Sequence, residues 1–460
     1  MRRSVDGGRV TVVGFGRSGA AAARLAMRKG ARQVVMQDKR DAVELGEDRV
    51  LELARDGIRP ELGGHRAQTL RESDLVVLSP GVPKLEAVDE ALAAGVPVVS
   101  EIELASWFIE GEYACVTGTN GKSTVTTLLG EIVKASGVPT FVGGNLGTPL
   151  SEAVESPAAR EGGALILELS SYQLERTLTL RPRVGVLLNV TPDHLDRYGD
   201  MARYASAKQR MFLSQTRQDF SVVPATDAAM VAIASAGAGR VQTYGGAQGD
   251  VRVEGEDIVD RWGGRFPRSL LRIQGAHNLE NAMAAILAAR LLGVGATAVR
   301  EALGQFSGLP HRMQHVADED GITYFNDSKA TNVAAAVKAL EGIDPSRRVV
   351  LIAGGRDKGG GYDPLRPLLA ARGRALILLG EATDLMKAQL KDLVPVRCAD
   401  DMFDAVRIAR ACARRGDVVL LAPACSSLDM FENYEERGRV FSAAVKAMVG
   451  GVRQEEDLSS

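Results

Sequence analysis

Short apolar runs of four or five residues alternate along the chain with longer stretches whose apolar positions recur every three or four residues. The first pattern is that of a strand buried on both faces, the second that of a helix covering a sheet. Three blocks follow from it. The first predicts strands at RVTVV (Arg9–Val13), QVVMQ (Gln33–Gln37), LVVLS (Leu75–Ser79) and PVVS (Pro97–Ser100), with helices from Arg17, over Asp41–Arg55 and over Leu85–Ala94. The second predicts strand YACVTG (Tyr113–Gly118), helix Ser123–Ala135, and strands ALILELS (Ala164–Ser170) and VGVLLNV (Val184–Val190). From about Gly249 to Ile273 short strands with glycine turns indicate an antiparallel appendage, and an alanine-rich helical pair over His277–Gln305 closes the block. The third begins near Pro310 and predicts strands in ITYFND, RVVLIAGG, ALILLG and DVVLLAP, with a polar tail, Arg453–Ser460, expected to fray. Strands alternating with helices throughout predict an α/β protein built on parallel sheets covered on both faces.

Length agrees with three domains, the chain having 460 residues. Lys and Arg number 56 against 58 Asp and Glu, a net charge of −2, so there is no basic field of the kind that nucleic acid or a membrane surface requires. Glycine is abundant at 50 residues while proline is only 17, which points to tight turns and close backbone approaches rather than disorder. The four cysteines, Cys115, Cys398, Cys412 and Cys425, have no CxxC spacing, which argues against zinc and against a disulfide scaffold and for reduced thiols. The opening MRRSVDGGRV lacks an apolar run ending in a cleavage site, and no stretch of 18 uncharged apolar residues occurs, so neither a signal peptide nor a membrane span is expected. A cytoplasmic location follows as an expectation.

Gly14-Phe15-Gly16-Arg17-Ser18-Gly19 completes a GxGxxG between the first strand and its helix, and Asp38 closes the next strand. Such glycines let the backbone approach a diphosphate, whose charge suits the helix N-terminus. On these residues alone the loop reads as a dinucleotide site, a site for another diphosphate, or a tight turn. Val116-Thr117-Gly118-Thr119-Asn120-Gly121-Lys122-Ser123-Thr124 joins a buried strand to a helix and carries the GKST core of a phosphate loop, with Val116 in the place of the first glycine. In such a loop N–H groups cradle phosphates, the lysine reaches β/γ oxygens and a hydroxyl meets Mg²⁺. Glu168 ends an apolar strand, so its carboxylate emerges at the carboxyl edge of the sheet, where ligands bind and where Mg²⁺ finds oxygen donors. Thr191-Pro192-Asp193-His194-Leu195-Asp196 follows another strand to the same edge, and Lys208 in YASAKQR reads on propensity as an exposed helix lysine. In the third block His311-Arg312, Asn326-Asp327-Ser328-Lys329-Ala330-Thr331-Asn332, Gly354-Gly355-Arg356-Asp357-Lys358-Gly359 and Pro423-Ala424-Cys425-Ser426-Ser427-Leu428-Asp429 supply cations and hydroxyls suited to a carboxylate substrate.

GTNGKST, Glu168, NVTPDHLD, YASAKQR, GAHNLEN, His311-Arg312, NDSKATN and PACSSLDMFENYEERG occur in that order, and the ordered set resembles the Mur ligases, ATP-dependent amino-acid-adding enzymes of peptidoglycan synthesis. The GxGxxG first domain, Ser79-Pro80-Gly81-Val82-Pro83 and PACSSLDMFENYEERG are most similar to the MurD type, and the resemblance runs over essentially the whole chain.

The resemblance implies three domains: 1–102, Rossmann-like and binding a UDP-sugar; 103–309, central, P-loop ATPase-like and ATP-binding, with the antiparallel appendage; and 310–460, Rossmann-like and amino-acid-binding. It implies a monomer that joins D-glutamate to UDP-N-acetylmuramoyl-L-alanine with ATP and two Mg²⁺, without nucleic acid or membrane. It gives Gly118, Thr119, Asn120, Gly121, Lys122, Ser123, Thr124, Asn278, Arg312 and Asp327 to ATP, and Arg17, Ser18, Asp38, Arg40, Ser79, Asn145 and His194 to the uridine substrate. Thr331, Lys358, Ser427, Leu428 and Tyr434 fall to the incoming amino acid; Ser123, Glu168, His194 and Lys208 to metal; and Lys122, His194 and Lys208 to catalysis, with Lys208 carbamylated. Lys39 stands where relatives often have Thr, and Tyr434 where they often have Phe. A folylpolyglutamate synthase-like ligase shares the ATP core but not the uridine-nucleotide domain, and a nicotinamide dehydrogenase leaves GTNGKST without a role.

Overall fold

The computed structural model of the chain describes residues 4–193, 195–273, 275–357 and 361–457. The chain divides into two compact units, one ending at Phe306 and the other beginning at Ser307.

The first unit contains two sheets. One is wholly parallel and comprises β1 (Arg9–Val13), β2 (Gln33–Gln37), β3 (Ile58–Glu61), β4 (Leu75–Leu78) and β5 (Val98–Ser100), in the order β3-β2-β1-β4-β5. The chain winds outward from β1 to β3 and then returns to β4, which leaves a switch point between β1 and β4 beside the glycine loop. Helix Arg17–Arg28 buries Gly19, Ala20, Ala21, Ala22 and Ala23, small residues that let it lie close to the strands. The approach is tightest at Gly19, where an added Cβ would strike the carbonyl oxygen of Gly14. The first sheet and its helices differ from the sequence pattern at two places. The helix over Asp41–Arg55 is two, Ala42–Leu45 and Glu47–Arg55, parted at Gly46 with φ +85°, and Asp41 and Glu44 form a capping box on the first. The extra strand β3 contains Pro60, tolerated because β3 is at the sheet edge.

The second sheet has β6 (Glu112–Thr117), β7 (Thr140–Gly144), β8 (Ala164–Glu168), β9 (Val184–Leu187), β10 (Phe220–Pro224), β11 (Arg240–Tyr244), β12 (Val251–Glu254), β13 (Asp257–Asp260) and β14 (Arg265–Pro267), ordered β14-β13-β12-β11-β10-β9-β6-β8-β7. Neighbours from β7 to β12 are parallel, whereas β12, β13 and β14 pair antiparallel and form the appendage expected from the sequence. Helix Ala276–Leu291 buries every residue from Asn281 to Ala289 and packs beside helix Lys122–Ala135, which explains an alanine-rich sequence with no polar face in its middle.

The second unit is one sheet of β15 (Gln314–Glu319), β16 (Ile322–Asn326), β17 (Val349–Gly354), β18 (Gly373–Leu379), β19 (Val396–Cys398) and β20 (Val418–Leu421), ordered β15-β16-β20-β17-β18-β19. All neighbours are parallel except β15 and β16. The tail expected to fray from Arg453 is helical as far as Asp457, within helix Tyr434–Asp457. No helix among the described residues is long and apolar enough to cross a membrane.

Candidate active site

The loop Gly118–Gly121 leaves the buried end of β6 and enters helix Lys122–Ala135. Gly121 caps the helix at φ +85°, and a Cβ there would come 2.5 Å from Asn281 Oδ1, so both conformation and space demand glycine. The Lys122 ammonium turns back and donates to the Thr119 carbonyl at 2.8 Å. Ser123 and Thr124 are buried in the first turn. Ser123 Oγ donates to Glu168 Oε2 at 2.6 Å, and Asn145 Nδ2 donates to Glu168 Oε1 at 2.6 Å. Glu168 ends β8 and is 3% exposed, so strand order alone brings a hydroxyl, a carboxylate and a carboxamide from three distant segments to one edge.

Lys208 departs from its propensity reading: it is 1% exposed. Helix Met201–Leu213 presents it beneath the phosphate loop, where Nζ donates to the Gly118 carbonyl at 2.9 Å and lies 4.6 Å from the centre of the Tyr204 ring. Burial pushes its amine down to about 7, the Lys122 cation acts in the same direction, and Asp193 opposes both. The Tyr204 hydroxyl meets Thr119 Oγ1 at 3.2 Å. His194 lies outside the described residues.

At the switch point of the first sheet a cavity of about 690 Å³ is lined by Arg17, Ser18, Asp38, Arg40, Ser79 and Asn145, all six from the sequence-derived set. The Asp38 carboxylate accepts from Phe15 N–H (2.8 Å), Arg40 N–H (3.0 Å), and Arg40 Nε and Nη2 (both 2.9 Å). Burial alone would raise its pKa, but the Arg40 fork and these N–H groups hold the carboxyl well below the usual range. Four donors fill the acceptor capacity of a carboxylate, so Asp38 pins the glycine loop and orients Arg40. Ser79 Oγ likewise donates to the Gly14 carbonyl at 3.1 Å. His65 and Gln173 also line the cavity and went unnoticed in the sequence, since His65 is a lone histidine after Gly63-Gly64 and Gln173 forms a capping box with Ser170. Asn278 stands in the first turn of helix Ala276–Leu291 and accepts from Asn281 Nδ2 at 3.2 Å.

In the second unit Arg312 lies between two residues of positive φ, His311 (+60°) and Met313 (+44°), a backbone strained for both side chains. Asp327 is buried, and burial raises its carboxyl to about 6 against the opposing Arg312 charge. The buried guanidinium of Arg437 donates to Ser328 Oγ (2.9 Å), the Ser328 carbonyl (2.9 Å) and the Cys425 carbonyl (3.2 Å), joining the NDSKATN and PACSSLD loops. Ser427 is buried, Thr331 half-buried and Leu428 57% exposed. The Tyr434 ring faces Lys329 Nζ at 5.9 Å. Lys358 lies outside the described residues.

Among the described residues no three His, Cys, Asp or Glu side chains gather as a metal cage. The donors present, the Ser123 hydroxyl and the Glu168 carboxylate, are those of a hard cation completed by water and phosphate oxygens.

Three family models match in order: the Mur ligase MurD-like N-terminal domain over residues 8–100, the Mur ligase middle domain over 116–289, and the Mur ligase glutamate ligase domain over 311–425. A UDP-N-acetylmuramoylalanine–D-glutamate ligase of Geotalea daltonii is 44% identical, covering 97% of this chain and 99% of its own. One of the same name from Anaeromyxobacter dehalogenans is 46% identical, covering 95% and 97% respectively. Among solved structures, UDP-N-acetylmuramate-alanine ligase MurC of Thermotoga maritima shares the fold at a TM-score of 0.57 and 19% identity, covering 96% of this chain and all of that one. With its three domains matched in sequence order and relatives aligned nearly end to end, the chain belongs to the Mur ligase family, on its MurD-type branch.

Proposed function

We propose that the protein is an ATP-dependent ligase that joins D-glutamate to UDP-N-acetylmuramoyl-L-alanine, giving ADP and phosphate, as a cytoplasmic monomer in peptidoglycan precursor synthesis. The observation that carries this reading is near full-length identity of 44% and 46% to relatives bearing that activity in their names. In this reading residues 1–102 take the uridine substrate, 103–309 take ATP, and 310–460 take the amino acid.

The L-alanyl carboxylate is a poor electrophile. An oxygen of it attacks the γ-phosphorus of ATP, the bond to the ADP oxygen breaks, and an acyl phosphate forms. Lys122, held at the mouth of the loop by the Thr119 carbonyl, neutralises charge on the transferred group. The D-glutamate amine then attacks the acyl carbon, phosphate leaves, and the amine proton passes to His194 or a carboxylate of the same edge. Ser123 and Glu168 would hold one Mg²⁺; His194 and a carbamylated Lys208 would hold a second. When bound, the ions stabilise charge on the phosphoryl oxygens. Lys208 suits carbamylation because only a neutral amine attacks CO₂, and burial pushes this amine down to about 7. The new N–C bond and the lost proton turn a cation into an anionic oxygen donor. Arg17, Ser18, Asp38, Arg40, Ser79, Asn145 and His194 are assigned to the uridine substrate, and Asp38 also orients Arg40 and the glycine loop. Asn278, Arg312 and Asp327 are assigned to ATP, and Thr331, Lys358, Ser427, Leu428 and Tyr434 to D-glutamate.

Phosphate release from ATP, measured with the nucleotide precursor and amino acids of both hands, tests the assignment. D-glutamate is expected to drive turnover; far better turnover with L-lysine, L-alanine or meso-diaminopimelate would overturn it. Calorimetry should also register the uridine nucleotide and not NAD.

A further inference from the structure

A phosphate loop binds tightly only if its peptide groups are already aimed before the nucleotide arrives, because ordering them afterwards subtracts from affinity. Gly118 and Gly121 sit at φ +151° and +85°, in conformations glycine enters and leaves easily. The Lys122 and Lys208 ammonium groups hold the loop's carbonyls at Thr119 and Gly118, and the segment that follows β9 holds its N–H groups. Asn189 Oδ1 accepts from the N–H groups of Thr119 (3.1 Å) and Asn120 (2.8 Å), while Asn189 Nδ2 donates to the Asn120 carbonyl (3.2 Å). One carboxamide therefore grips Asn120 at both its donor and its acceptor. The Asn189 carbonyl also accepts from Thr119 N–H at 3.0 Å. A second stitch joins the same two segments: Thr119 Oγ1 accepts from Thr191 N–H at 3.0 Å.

Two consequences follow. The N–H groups of Thr119 and Asn120 are committed to the protein, so phosphate falls to the N–H groups of the first turn of helix Lys122–Ala135, which by helix geometry have no intrahelical acceptor. The clamp also requires both a donor and an acceptor at peptide spacing, which a carboxamide has and a carboxylate lacks.

We propose that Asn189 is a positioning residue for the nucleotide: its carboxamide clamps the Thr119–Asn120 segment and presets the phosphate loop. The inference rests on the ATP-loop reading of GTNGKST. Calorimetry of ADP with Mg²⁺ on the full chain, wild type against Asn189→Ala and Asn189→Asp, tests it. Loss of these bonds should weaken ADP binding in Asn189→Ala by at least about tenfold and raise the KM for ATP similarly. The KM for the nucleotide-sugar and the melting temperature should change little. Asn189→Asp, which keeps the acceptor but adds charge beside the phosphates, should not rescue binding. Wild-type ADP affinity in Asn189→Ala would overturn the clamp. So would a variant that loses uridine-nucleotide binding and thermal stability along with ADP binding, since the residue would then be merely structural. Absence of ADP binding in the wild type would overturn the underlying ATP-loop reading instead.

Discussion

Two lysines far apart in the chain reach the same short loop, Lys122 at the Thr119 carbonyl and Lys208 at the Gly118 carbonyl. A buried ammonium without full compensation is costly, and proteins relieve that cost by shedding the proton. With its amine at about 7 rather than 10.5, Lys208 releases its proton in the native state before the unfolded chain does. Between these values the unfolded state binds more protons, so the contribution of Lys208 to stability rises with pH from about 7 to 10.5 and is poorest below 7. In CO₂-free buffer, denaturation of Lys208→Met should therefore show a stability advantage over wild type at pH 6 that shrinks toward pH 10. Lys208→Ala should be nearly inactive yet still bind ATP, and short-chain carboxylates should restore part of its rate; full activity would return this lysine to a structural role. Lys122→Ala should lower turnover by at least ~10²-fold, as expected for loss of a preorganised charge stabiliser, with an unchanged circular dichroism spectrum.

At the scale of elements, the uridine pocket depends on how closely helix Arg17–Arg28 lies on β1. Gly19→Ala would drive a methyl into the Gly14 carbonyl oxygen, a Cβ–backbone clash that no rotamer relieves. Overpacking of this kind costs about 1–3 kcal/mol. The expected result is a lower melting temperature together with weaker uridine-nucleotide binding, while ADP binding at the separate loop of β6 persists. Equal loss of both ligands would mean that the whole first unit, not the helix–strand approach, had failed. The same scale shows why some strands escaped a reading of pattern. β3 carries proline, β7 ends in two glycines, and β15 is a polar edge strand with a bulge between His315 and Ala317. Each obtains its strand conformation from a neighbour's hydrogen bonds rather than from an apolar run of its own.

Across the first unit as a whole, the segment after β5 joins its two sheets through acids. Glu103 accepts from the N–H groups of Leu178, Thr179 and Leu180 and from Trp107 Nε1, and despite burial these donors hold its carboxyl below the usual value. Glu101, equally buried, accepts from Ser151 N–H at 2.6 Å, and burial raises its carboxyl to about 7. A folded-state pKa above the unfolded 4.5 contributes stability that is present below pH 4.5 and lost as pH rises through about 7. Glu101→Gln, which stays neutral, should be more stable than wild type above pH 7, with the difference vanishing below pH 4.5. Urea denaturation at pH 4 and pH 8 measures it, and a difference that stays constant with pH would show that Glu101 titrates alike in the folded and unfolded states.

The amino-acid sequence by itself determined whatever is encoded in neighbouring residues: the apolar runs of β1, β6, β8 and β17, the capping glycine and GKST of the phosphate loop, the GxGxxG turn, and the ordered motifs that resemble the Mur ligases. These are local because strand burial and loop conformation are imposed over a few consecutive positions. The tertiary structure alone decided what depends on residues far apart in the chain. Strand order brings Ser123, Asn145 and Glu168 into contact, and helix packing turns Lys208 from a surface lysine into a buried amine. Four donors make Asp38 the pin of its own loop, and Asn189 acquires its grip on Thr119 and Asn120. Propensity and periodicity describe how a segment meets water or a core, whereas protonation, hydrogen-bond saturation and burial are set by partners that only the folded chain supplies.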